Sequence, residues 1–92
     1  MYSVPRQMIA NALDQAELDE DALYEGYSGR GMFGEKCFGI VGNMTTFARF
    51  IVGIAAQDYE GAEMAQLLAD AVSSDNMGYD SIYYFPSYTI ED

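Results

Sequence analysis

A single two-layer α+β domain, with helices on one face of a small antiparallel sheet, is the fold that this sequence of 92 residues predicts. Three observations point to it. Apolar residues recur at helical spacing in three separate stretches, shorter runs rich in Tyr, Phe, Ile and Val lie between and after them, and glycine or polar clusters mark the joins. The order that follows is α-β-β-α-α-β over residues 1–92, enough chain for one modest core and too little for a second.

The first helix is expected to start at Ser3, whose hydroxyl can cap free backbone amides, with Pro5 tolerated in the first turn. Met8, Ile9, Ala12, Leu13 and Ala16 then share one face. Continuing the wheel would put Glu20 on the apolar side, so the helix should end near Glu17 to Asp19. Tyr24 to Ser28 and Lys36 to Val41 read as an antiparallel hairpin around a glycine-rich loop. Asn43 to Thr46 supply capping side chains for a helix striped by Phe47, Phe50, Ile51 and Ile54. Met64, Leu67, Leu68, Ala71 and Val72 stripe another, and Gly61 with the polar run Gln57 to Glu60 separates the two. After a polar stop over Ser73 to Gly78, Ser81 to Phe85 reads as a third strand that Pro86 ends or confines to a sheet edge.

Fifteen Asp and Glu against four Lys and Arg give a formal charge of -11, and half of the residues are apolar or aromatic. That apolar content favours a folded domain over a disordered acidic tail. The charge disfavours direct contact with nucleic acid or anionic membrane surfaces. The longest apolar stretch, Phe47 to Ala56, contains Arg49 and Gly53 and is about half of the ~20 residues that span a bilayer, so no membrane attachment is expected. Cys37 is the single cysteine, which makes a reducing cytoplasm the simplest compartment.

Catalytic motifs fail on context. Gly29-Arg30-Gly31-Met32-Phe33-Gly34 matches G-x-G-x-x-G, but Glu35 to Val41 continues as a strand and opens no helix, so a dinucleotide site is not expected. A kinase-like phosphate loop fits the local strands better, yet the chain lacks every other kinase element. A hairpin loop whose glycines accept positive φ remains, with Arg30 as its charged group. Cys37 has no histidine to activate it and reads as a buried thiol. Asp19, Glu20, Asp21 and Glu25 lack the ligand spacing of a calcium loop, and no Cys/His set exists for zinc. Paired carboxylates could do acid-base chemistry, but nothing in so short a chain suggests the accompanying cleft. The expectation is a non-enzymatic protein with no catalytic residue, metal or cofactor.

The acids themselves are the most informative feature. Asp14, Glu17 and Asp21 would share a helical face if the helix persisted, and Asp19, Glu20 and Glu25 extend that patch. Acids near a helix C-terminus oppose the macrodipole by about 0.3–1 kcal/mol each, so helix stability does not account for them, although Asp19 could cap a further helical turn. Asp58, Glu60 and Glu63 form a second group at the break between helices, where Asp58 or Glu60 suits the next N-terminus. Carboxylates every three or four residues along a helix approximate a row of phosphates, one charge per about 1.7 Å of B-DNA, and would attract a basic nucleic-acid-binding channel. Halophilic adaptation is the competing cause and would spread acids evenly. Tyr83 and Tyr84, within a cluster that includes Tyr79, Phe85 and Tyr88, suggest an interface for a partner or a homodimer.

The segment Tyr27-Ser28-Gly29-Arg30-Gly31-Met32-Phe33-Gly34-Glu35-Lys36-Cys37-Phe38-Gly39-Ile40 resembles one from uncharacterised small phage proteins. In size, charge and α+β organisation the chain is similar to small acidic phage-encoded inhibitors, among them anti-CRISPR proteins and DNA mimics directed at restriction enzymes. The resemblance implies binding to a host nucleic-acid-handling complex through the acidic residues, with Arg30, Tyr83 and Tyr84 as supplementary anchors. A structural or regulatory homo-oligomer built through the Tyr-rich C-terminal strand is the alternative expectation.

Overall fold

The computed structural model describes residues 2–27, 34–77 and 80–92. The elements in order are β1 (Tyr2–Pro5), α1 (Arg6–Gln15), a single 3-10 turn (Glu20–Ala22), β2 (Leu23–Tyr27), β3 (Lys36–Gly42), α2 (Met44–Ala55), α3 (Asp58–Ala71), β4 (Ser73–Met77), β5 (Asp80–Phe85) and β6 (Tyr88–Glu91). The expected α-β-β-α-α-β sequence survives inside this series as α1-β2-β3-α2-α3-β5, and three further strands, β1, β4 and β6, are added to it.

Four strands form an antiparallel sheet in the order β2-β3-β5-β4, which places β3 and β5 in its interior. Alternation along β3 and β5 sends Phe38, Ile40 and Phe85 into one core with Ile9, Leu13, Phe50, Ile54 and Leu68 from all three helices. Phe85 is packed between aromatic neighbours, 4.9 Å from the Phe38 ring and 6.1 Å from Phe50. Cys37, Ile82 and Tyr84 form a second buried cluster, with Tyr24 and Val41 against it. Cys37 is therefore the buried thiol that its apolar neighbours predict, and burial together with the nearby Glu35 carboxylate pushes its pKa up.

The chain begins differently from the sequence expectation. Residues 2–5 form a strand paired in parallel with β6, in the register Val4↔Ile90, and Val4 is fully buried. Ser3 does not cap α1; its hydroxyl donates to Glu91 Oε2 at 3.0 Å, while the helix starts directly from Pro5 without a side-chain cap. The other end of α1 is fixed by its backbone. Glu17 takes a left-handed φ of 58°, its N–H donates to the Asp14 carbonyl, and the Leu18 N–H reaches back to the Leu13 carbonyl at 2.9 Å. This is a Schellman C-terminus with glutamate where glycine is usual, and it lets Leu18 fold back towards Leu13.

A local signal starts α2. Asn43 Oδ1 accepts from the Thr46 N–H at 2.9 Å and Thr46 Oγ1 accepts from the Asn43 N–H, a complete capping box. Between the helices, Gln57 bonds through Nε2 to the carbonyls of Met8 and Gly53 and accepts from Asn11 Nδ2, tying the corner to α1. Gly61 permits that corner, because a Cβ there would lie 2.3 Å from the Ile54 carbonyl oxygen. Among the described residues no helix is long and apolar enough to cross a membrane.

Candidate functional site: an acid-rimmed groove

The turn that ends α1 sends the chain back alongside it, and a groove of about 550 Å³ opens between α1, the 3-10 turn and the start of β2. Ile9, Leu13, Leu18 and Leu23 supply its apolar wall, and Arg6, Asp14, Glu20 and Glu25 stand around it. Leu18 and Leu23 are half-buried, so the floor combines core side chains with partly open ones.

Electrostatics within the rim are uneven. Arg6 donates to Glu25 Oε1 at 3.1 Å and also to the Asp92 side chain, which holds the guanidinium across the first helical turn, β2 and residue 92. Those hydrogen bonds, that of Asp92 first, raise the Arg6 pKa further above its already high value, so it stays charged. Asp14 and Glu20 form no ion pair or hydrogen bond through their side chains with another described residue, and both are exposed. Glu17 does not line the groove, and its carboxylate comes within 3.9 Å of Arg49 on α2.

The acids expected to share a helical face are thus redistributed. α1 stops at Gln15, so the wheel joining Asp14, Glu17 and Asp21 does not extend that far. Asp14 is instead brought together with Glu20 and Glu25, while Glu17, Asp19 and Asp21 are exposed nearby without lining the groove. Asp19 precedes the 3-10 turn but makes no side-chain cap. Asp58, Glu60 and Glu63 are exposed on the first turns of α3, apart from this groove, and Asp58 and Glu60 sit where the helix dipole favours acids.

Two expected anchors need correction. Tyr83 and Tyr84 are 8% and 3% exposed, and β5 is hydrogen-bonded on both sides, by β3 and by β4. Tyr83 stacks on Phe47 at 5.0 Å and Tyr84 meets Tyr24 edge-on, so their rings pack inside the chain and offer no surface to a partner. Assembly through a free Tyr-rich edge is therefore not available to β5. Arg30, the loop from Gly29 to Phe33 and Tyr79 lie outside the described residues.

The groove carries no nucleophile, and Cys37 is on another face, buried and protonated at neutral pH. Among the described residues no group of three or more His, Cys, Asp or Glu side chains is placed to hold a metal ion. What the site offers is charge and apolar area side by side. No family model, curated protein or solved structure matches the chain.

Proposed function

We propose that this protein is a non-enzymatic inhibitor of the phage type, which binds a basic, nucleic-acid-handling surface of a host complex and occupies it in place of nucleic acid. The observation that carries the reading is the convergence of Asp14, Glu20 and Glu25 on one groove, with Glu17, Asp19 and Asp21 exposed beside it. Helix energetics give no reason for Asp14 or Glu17. Asp14 lies in the last turn of α1, where the dipole disfavours it, and Glu17 occupies a left-handed position that glycine would fill at lower cost. Their distribution also argues against a general halophilic surface, since residues 36–57 contain none of the 15 acids.

The test is capture of host proteins from a bacterial lysate, with and without nuclease, on wild-type protein and on a variant with Asp14, Glu17, Asp19, Glu20 and Asp21 changed to Lys. The expected result is a nucleic-acid-binding complex that survives nuclease, dissociates with salt, and is lost at least about 100-fold in the variant. Equal capture by a folded variant would defeat the proposal.

A further inference from the structure

The groove between α1 and β2 discriminates by more than charge. Leu13, Leu18 and Leu23 make its wall apolar, and Leu18 and Leu23 are only half-buried, so hydrocarbon faces whatever enters. Asp14 comes from the last turn of α1 and Glu20 from the 3-10 turn, and both line the same hollow as that wall. A bare metal ion would gain nothing from the leucines, and an apolar ligand would leave the carboxylates without a counter-charge. A cation carried on a hydrocarbon stem satisfies both, which is the chemistry of arginine and lysine side chains.

The chain itself shows which of the two fits. Arg6 lines the same groove and donates from its guanidinium to Glu25 Oε1 at 3.1 Å and to the Asp92 side chain, one planar head shared between two carboxylates from different parts of the chain. Asp14 and Glu20 are a second pair of carboxylates from different elements, and among the described residues no cation pairs with either. The volume of about 550 Å³ leaves room for a further side chain beside Arg6, and it falls within the ~300–1,000 Å³ of ordinary ligand pockets. We infer that an arginine of the partner enters this groove, with its methylene stem against Leu13, Leu18 and Leu23 and its guanidinium on Asp14 and Glu20. Lysine brings a compact ammonium, whereas arginine brings a fork that two carboxylates can share. This inference presupposes the basic partner of the inhibitor reading. It adds to that reading a socket for an individual side chain, a hot spot within the broader attraction that the remaining acids supply.

Hexa-arginine and a hexapeptide of 2-amino-3-guanidinopropionic acid carry the same guanidinium charges and differ only in stem length. Each is titrated into the full chain and followed by backbone amide shifts. Hexa-arginine should bind about tenfold more tightly, the affinity that two further buried methylenes supply, with the largest shifts at Asp14, Leu18 and Glu20. Asp14→Asn with Glu20→Gln should weaken hexa-arginine by about tenfold or more. Asp58→Asn with Glu60→Gln removes the same charge from the start of α3 and should weaken it by no more than about twofold. All four residues are exposed, and thermal unfolding of each double variant checks that the fold is kept. Equal affinity for the two peptides overturns the inference, as do equal losses in the two double variants. Both comparisons use purified components, so their failure leaves the lysate capture, and with it the inhibitor reading, standing.

Discussion

Replacing Glu17 with glycine should make the protein more stable and a poorer binder. Glu17 holds φ at 58°, a left-handed conformation that costs a residue with a Cβ roughly 1–2 kcal/mol. Glycine removes that cost, though it gives up about 0.5–1 kcal/mol more chain entropy on folding. The substitution also takes a carboxylate away from the C-terminal end of α1, worth about 0.3–1 kcal/mol. It loses the contact with Arg49 at 3.9 Å, but both side chains are largely solvated and the pair contributes at most a few tenths, roughly 0–0.5 kcal/mol. The net is a gain of about 1 kcal/mol, read as a rise in Tm of roughly 4–8 °C for a domain of this size. Urea unfolding of wild type, Glu17→Gly and Glu17→Ala separates the contributions, because alanine removes the charge and keeps the Cβ. Glycine should exceed alanine by about 1 kcal/mol. Equal stabilities for the two variants would refute the backbone argument, and a Glu17→Gly protein less stable than wild type would refute the whole account.

Cys37 should resist alkylation in the native state at neutral pH and react rapidly once unfolded, since burial keeps the thiol protonated. Because its folded pKa is raised, its contribution to stability is complete below the ordinary thiol range and declines as pH rises past about 8.5, a loss that Cys37→Ala should abolish in a pH series of unfolding curves. Gly61→Ala, which at an open helical site would stabilise by up to ~1 kcal/mol, should instead destabilise by ~2 kcal/mol, because the new Cβ meets the Ile54 carbonyl oxygen. A higher melting temperature for Gly61→Ala would show that the corner can open.

What could be read in advance divides by the range of the interaction. The helical spacing of α1, α2 and α3 and the capping side chains of Asn43 and Thr46 are set by residues within four positions of one another and appear where the sequence places them, except that α3 already begins at Asp58 within the polar run, Leu67 of its stripe is exposed and Val72 follows its end. β1, β4 and β6 depend on distant partners. Ser73 and Ser74 open β4 with polar residues that resemble a helix stop, and only the Tyr83 and Tyr84 backbone opposite gives them a ladder. Tyr83 and Tyr84 look like surface aromatics because alternation assigns one of them to solvent. Both are covered, since the sheet has a buried cluster on each face. The groove was half legible. Asp14, Glu20 and Glu25 stand out by composition, but their meeting depends on the left-handed turn at Glu17, where no glycine announces a reversal.

The parallel pairing of β1 with β6 has a consequence for the order in which the molecule is assembled. Tyr2 opposes Tyr88 and Pro5 opposes Glu91, so among the described residues β1 finds its ladder 86 positions further along the chain. On the ribosome, Val4 therefore has no strand beside it while the hairpin of β2 and β3 and the α2–α3 pair already have theirs, and closure across some 86 positions adds a loop entropy that grows by only ~0.6 kcal/mol per doubling of length. The penalty is bearable thermodynamically but falls on the rate, since contacts of such separation form late. Because the strands run the same way, the end of β6 lies beside the start of α1 and not beside Tyr2. A segment joining Glu91 to Tyr2 would have to retrace the length of the strand, four residues or ~13 Å.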